Sequence, residues 1–222
     1  MRRITGAAFV SLDGVIQAPG GPTEDPTGGF AHGGWVFGQP DEVIGSVMGD
    51  IFAPPYDLLL GRRTYDIFAA FWPYAEGDQA PMGEALTAAA KHVVTHSDTP
   101  LDWANSHRLS GIDAVAALKA TDGPDLLIQG SSTLYPPLLA AGLIDRLILM
   151  IYPVVLGRGK RLFGDGTAAG ALTLIDHKIG DAGVIVARYE PAGEVKTGTP
   201  PNLHQPSAAE GERQRQMAEG TW

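Results

Sequence analysis

"LLLGRRTYDIF", residues 58–68, decides how the rest of the chain is read. Three leucines run into Gly61, two arginines and a threonine, and an apolar, aromatic pattern resumes at once. A short continuous apolar run ending in glycine and followed by helical periodicity describes a buried strand that turns into a covering helix, the unit of a parallel sheet. The turn at Gly61 delivers Arg62, Arg63 and Thr64 to the opening of that helix. Unpaired N–H groups and the positive end of the helix dipole favour an anion there, and the two arginines add full charge. The competing reading is a solvated pair of arginines held by Asp66 or Glu76.

The same device occurs again in "LLIQGSSTLYPPLL", residues 126–139, where an apolar strand ends in Gly130 and continues into Ser131, Ser132 and Thr133 before a helix. Backbone N–H groups and hydroxyls in such a turn suit anion capture. Two strand-glycine-helix junctions in one parallel sheet open on the same edge, beyond the carboxyl ends of the strands, where ligands bind in such folds. Together they suit a pyrophosphate-bearing cofactor. Neither is a G-x-G-x-x-G fingerprint. "GRGKRLFGDG", residues 157–166, fails as a P-loop because Lys160 is followed by Arg161 and its glycines are wrongly spaced, so its basic residues are expected to shape a loop.

Outward from these junctions, strand-length apolar runs alternate with helical segments. Strands are expected at "ITGAAFV" (4–10), "YDLLLG" (56–61), "KHVVTH" (91–96), "PDLLIQG" (124–130), "DRLILMIYPVVLG" (145–157) and "GVIVARYE" (183–190). Helices are expected over 41–52, 63–71, about 82–90 and 112–119, and in "LYPPLLAAGL", with its prolines in the opening turn and Gly142 as its stop. Residues 18–34 form a long Gly- and Pro-rich loop. The pattern predicts a three-layer α/β/α fold whose central sheet is mostly parallel, with an antiparallel C-terminal edge strand. Residues 1–190 make one domain. Residues 191–222, rich in Pro, Gly, Glu and Gln, form a tail that alone would stay disordered or act as an arm.

At 222 residues and 44% hydrophobic, the chain suffices for one substantial core. A net charge of −9 argues against a general nucleic-acid or anionic-membrane binder, which needs a broad basic surface. Cysteine is absent, which removes thiolate chemistry, and His92, His96 and His107 lack metal-ligand spacing, so no metal is expected. No apolar run approaches the roughly 18 residues of a membrane span, and the expectation is a soluble cytoplasmic protein. Asp13 in "SLDG" reads as a turn organiser, and Trp35 and Trp72 read as packing residues, Trp35 also being placed to cover a planar ring. Asp41 is the candidate catalytic carboxylate, and equally a helix-start residue.

"VSLDGVI", "LLLGRRTYDIFAAFWP", "KHVVTHSD", "LLIQGSSTLYPPLLAAGLIDRL" and "PVVLGRGKRLF" occur in the order and rough spacing of the dihydrofolate reductase-like superfamily. The chain most resembles the branch similar to the carboxyl-terminal reductase domain of riboflavin biosynthesis (RibD), over roughly residues 2–189. The resemblance implies a bound NADPH. It places Gly61, Arg62, Arg63 and Thr64 at the cofactor phosphates, Thr95, His96 and Ser97 beside the adenosine, and Gly130, Ser131, Ser132 and Thr133 at the pyrophosphate turn. Ile16 falls where the first loop gives backbone contacts to the nicotinamide amide. The chain departs from the family at Gln129, which stands where a first glycine is common. It departs again at Gly45, where a gap-free count places the acid of folate reduction and which leaves Asp41 and Glu42 as the early carboxylates on that helix. The resemblance implies hydride transfer to a small heterocyclic or imine-like substrate, pyrimidine or pterin-like, in a homodimer. A non-catalytic nucleotide or small-ligand binding protein on the same fold is the alternative.

Overall fold

The computed structural model describes residues 1–199 and 206–222. Among the described residues, eight strands and six α-helices run in the order β1 (Ile4–Ser11), α1 (Glu42–Phe52), β2 (Tyr56–Gly61), α2 (Arg62–Phe71), α3 (Ala80–Ala88), β3 (Lys91–Val94), β4 (Ser106–Leu109), α4 (Ile112–Lys119), β5 (Asp125–Gln129), α5 (Tyr135–Ala140), β6 (Arg146–Tyr152), β7 (Leu172–Ile179), β8 (Ile185–Pro191) and α6 (Ala208–Glu219). Among the described residues the strands form one eight-stranded sheet in the order β4-β3-β2-β5-β1-β6-β8-β7. The six from β4 to β6 are mutually parallel, and β8 and β7 follow antiparallel.

Strand alternation sorts the core into two layers. Leu58, Leu60, Leu127, Ile148 and Met150 face Val47 and Ile51 of α1, Tyr65 of α2 and Leu86 of α3. Leu59, Leu126, Ile128, Leu147 and Leu149 face Val115 of α4 and Tyr135 and Leu138 of α5. Burial on both faces explains why the parallel strands read as unbroken apolar runs. The sheet therefore lies between two helical layers, as the sequence predicts.

Three elements escape the sequence reading. β4 is short and half exposed, and its "SHRL" carries no apolar run. β7 is exposed along nearly its whole length, so "LTLIDHKI" lacks the apolar alternation that a buried face imposes. β7 lies at the sheet edge and β8 inside it, so the antiparallel edge is a hairpin rather than one strand. The third is α6, in the tail. Its residues pair along the helix, Arg213 with Glu210 at 2.6 Å and Arg215 with Glu212 at 2.6 Å. Ser207 caps it and Gly220 ends it at φ 67°. Local ion pairs and caps stabilise a helix that buries none of its residues among those described. Residues 200–205 of the tail lie outside the described residues.

The loop at 18–34 is tethered rather than free. Gln17 donates through Nε2 to the carbonyls of Asp25 and Thr27, both at 2.9 Å. Its Oε1 accepts from Lys160 N at 3.0 Å. Trp35 donates to the Gln17 carbonyl at 2.9 Å and packs edge-on against Tyr152, so it serves the core. β6 stops at Tyr152, short of the expected 157, because Pro153 follows and cannot donate to the ladder.

Candidate functional site

β2 and β5 are neighbours in the sheet, so their two glycine junctions meet at one edge. Ser131 Oγ accepts from the Gly61 backbone N–H at 2.7 Å and donates to Thr64 Oγ1 at 2.7 Å. Gly61 is tight for a side chain, since a Cβ there would lie 3.0 Å from Ser131 Oγ, which would have to give by a few tenths of an ångström. Gly130 has room, because a Cβ would meet Thr64 at an ordinary 3.5 Å. Its constraint is conformational: Gly130 sits at φ 88° and Ser131 at φ 75°, consecutive left-handed residues that fold the chain back at the strand end. Such successive turns expose backbone N–H groups in a concavity suited to an anion.

The arginines take different partners. Arg62 Nε donates to Asp66 at 2.8 and 3.0 Å, and its Nη1 donates to the Thr99 carbonyl at 2.8 Å. The solvated-pair reading therefore holds for the Asp66 contact. Arg108 of β4 donates to the same Thr99 carbonyl at 2.9 Å, bringing two guanidinium groups together. Arg63 is exposed and reaches towards the loop, 3.8 Å from the Asp25 carboxylate and 3.4 Å from Thr27 Oγ1. Burial would raise the Asp25 carboxyl, but hydrogen bonds from Lys160 and Thr27 outweigh it and hold it below the usual carboxylate range. Asp25 and Arg108 carried no signal in the sequence, whereas Lys160 does shape a loop, as expected.

At the end of β3, Thr95 Oγ1 accepts from Ser97 N at 3.1 Å, and Ser97 Oγ accepts from Thr99 N at 3.2 Å. Thr95 is buried while His96 and Ser97 are exposed, so this turn borders the Arg62–Thr99 contact from outside. Ile16 is buried and its N–H donates to the Lys160 carbonyl at 2.9 Å, while its own carbonyl takes no backbone hydrogen bond among the described residues. Asp13 organises its turn as expected: it accepts from Leu156 N at 3.0 Å, Gly157 N at 2.8 Å and Ser11 Oγ at 2.6 Å.

Asp41 is placed differently from a free acid. Its Oδ1 accepts from Val43 N at 3.1 Å, capping α1, and its Oδ2 accepts from Ala182 N at 3.0 Å in the β7–β8 turn. The geometry is that of a cap and a clamp. Beside it, Tyr152 is pushed up to about 12 by burial and by the Asp41 charge, so its phenol stays protonated. Gln129 lies at the carboxyl end of β5, paired with Ala7 in register, and its buried Nε2 has no hydrogen-bond partner among the described residues. A groove of about 490 Å³ runs along the outside of α2, lined by Arg62, Tyr65, Asp66, Pro73 and Trp103, and the convergent donors lie beyond it at the strand ends.

The RibD C-terminal domain family matches residues 2–186. The chain is 26% identical over 194 residues to YyaP, an uncharacterized protein of Bacillus subtilis (strain 168), covering 85% of this chain and 94% of that protein. A putative riboflavin biosynthesis protein from Shewanella sp. PV-4 superposes with a TM-score of 0.60 at 18% identity, covering 86% of this chain and 99% of that one. A pyrimidine reductase-like protein from Corynebacterium diphtheriae superposes at 0.55 with 15% identity, covering 87% and 93%. At such identities the superpositions speak to the fold. With the family match running across the whole sheet from β1 into β8, the chain belongs to the RibD C-terminal domain family, on the dihydrofolate reductase-like fold.

Proposed function

We propose that this protein is an NADPH-dependent reductase that passes hydride to a small heterocyclic or imine-like substrate, pyrimidine or pterin-like. The observation that carries the reading is the joining of the two glycine junctions through Ser131, which gathers backbone N–H groups and hydroxyls at one edge of the sheet with Arg62 and Arg63 beside them. That donor set fits a pyrophosphate with an additional phosphate. Bound NADPH would supply the hydride. The chain's own residues would hold the phosphates at Gly61–Thr64 and Gly130–Thr133, seat the adenosine beside Thr95, His96 and Ser97, and present the Ile16 carbonyl to the nicotinamide amide. The loop tethered by Gln17 and Asp25 would exclude water from the strand ends.

A specific observation also favours the non-catalytic reading. Asp41, the candidate acid, has one carboxylate oxygen on each of two backbone amides, so proton delivery must come from elsewhere, such as water, or turnover is lost. NADPH oxidation across a panel of pterins and pyrimidines separates the two. Oxidation with any ring supports the reductase, and tight NADPH binding with no oxidation supports the binding protein.

Homodimerisation belongs to the same proposal. β7 and β8 present Leu174, Ile179 and Ile185 to solvent, and Leu174 opposes Tyr189 while Ile179 opposes Ile185 in register. A long apolar edge of this kind favours a second copy. We also propose a tail on the reductase domain over residues 191–222, its first residues still belonging to the hairpin, since β8 runs to Pro191 and Ala192 N donates to the Ala171 carbonyl at 2.8 Å.

A further inference from the structure

We infer that Arg108 of the edge strand β4, together with Arg62, forms a two-guanidinium clamp for a phosphate monoester dianion, the 2′-phosphate on the adenosine ribose of the cofactor. This deepens the reductase proposal and rests on it for the position of the adenosine.

Three neighbouring strand ends build the clamp. The sheet order sets β2, β3 and β4 side by side and parallel. Arg62 follows β2, the turn at 95–99 follows β3, and Arg108 lies on β4 in register with Val93. Val93 belongs to the layer that carries Tyr65 of α2, and register partners share a face, so Arg108 stands on the side of the sheet where α2 packs. There the two guanidinium groups converge on one acceptor. Arg62 Nη1 donates to the Thr99 carbonyl at 2.8 Å, and Arg108 Nη2 donates to the same oxygen at 2.9 Å.

The charge at this point is unbalanced. Asp66 accepts from Arg62 Nε, but Arg108 has no ion-pair partner among the described residues, although Asp98 and Asp102 flank the turn. Two like charges held on one carbonyl oxygen repel each other, and nothing of opposite sign on Arg108 offsets this in a chain of net charge −9. A phosphate dianion supplies the missing charge, and guanidinium forks match its oxygens. Arg108 and Thr99 are exposed and Arg62 is partly so, which lets an anion reach both guanidinium groups from solvent. The hydroxyls of Ser97 and Thr99, 2.8 Å apart on the same turn, add further donors.

The position suits one part of NADPH. With its pyrophosphate on the β2 and β5 junctions and its adenosine beside the β3 turn, the cofactor runs across the strand ends towards β4. β2 and β4 are two strand spacings apart, about 10 Å. The 2′-phosphate is the one anionic group of NADPH besides the pyrophosphate, and this path brings it to the clamp.

The test titrates NADPH and NADH, with adenosine 2′,5′-bisphosphate and adenosine 5′-monophosphate as the corresponding fragments, into the wild type, Arg108→Gln and Arg108→Lys. Arg108→Gln should weaken NADPH binding about 10-fold, the low end for a hydrogen bond to a charged group. It should leave NADH affinity and the thermal midpoint at their wild-type values, because the side chain is exposed. Arg108→Lys should recover part of the loss, and the two fragments should repeat the pattern. A role confined to holding the Thr99 turn would weaken NADPH and NADH alike, and that result overturns the inference. So does an NADPH preference that Arg108→Gln leaves intact while Arg62→Ala removes it, in which case the cofactor reading stands without Arg108. If neither dinucleotide binds but the bisphosphate binds in an Arg108-dependent manner, the reductase reading falls and the clamp stands. Binding of no probe removes both.

Discussion

Ser131 Oγ lies 2.7 Å from the Gly61 backbone nitrogen and 2.7 Å from Thr64 Oγ1, so a single hydroxyl ties the turn after β5 to the turn after β2. The tie works only because Ser131 occupies a left-handed conformation that aims its side chain across the sheet edge. Two segments 70 residues apart thereby become one surface.

Gly130 is required for its backbone rather than for space. At φ 88° a Cβ costs about 1–2 kcal/mol. The Gly130→Ala variant should melt a few degrees lower, about 2–4 °C for each kcal/mol at this size. Because the shift also displaces Ser131, its NADPH affinity should fall further than the stability loss alone explains. Calorimetry and a binding titration on one sample check both, and an unchanged affinity removes the turn from the cofactor site.

Asp13 should make the protein acid-sensitive. Burial would raise its carboxyl, but the Ser11 hydroxyl and the Leu156 and Gly157 amides prevail and lower it from 3.8 to about 2. A depressed carboxyl contributes stability that is present above the unfolded value and lost as pH falls from 3.8 through about 2. Discounted for solvent screening on a carboxylate that water reaches, the shift corresponds to about 1 kcal/mol. Denaturant titrations at pH 7 should show Asp13→Asn less stable than the wild type by that order, with the gap closing at pH 2.5. A gap that persists unchanged at pH 2.5 contradicts the ionic account.

The apolar edge at β7 and β8 predicts assembly. The wild type should scatter light with the mass of two chains, and Leu174→Lys with Ile179→Lys should yield a folded monomer, since both side chains are exposed in the isolated chain. A double variant that keeps the wild-type mass places the interface elsewhere, and a wild-type monomer removes it.

The buried architecture was legible because burial writes itself into sequence. "LLL" at 58–60 and "LLI" at 126–128 must serve two apolar layers at once, and the glycines that end these strands mark the turns. β7 and α6 were not legible for the converse reason, one being an exposed edge and the other a helix held by its own ion pairs. At the site, the glycines and arginines announced themselves by type and spacing. Asp25 and Arg108 act through contacts across the fold, Asp25 with Lys160 and Arg108 with the Thr99 carbonyl that Arg62 shares, and no local pattern records such contacts. Asp41 was legible as a helix start, but its second partner, Ala182, lies 141 residues away.

The central claim is that the junction at Gly61–Thr64 receives the phosphates of NADPH, and the most direct measurement compares NADPH with NADH binding in the wild type and Arg62→Ala. Arg62 already shares its guanidinium with Asp66 and the Thr99 carbonyl, so a phosphate finds it fixed in place. The wild type should bind NADPH more tightly than NADH, and Arg62→Ala should remove about 1.5–3 kcal/mol of that preference, the range for a hydrogen bond to a charged group. Equal affinity of the wild type for both cofactors, or a preference untouched by Arg62→Ala, contradicts it.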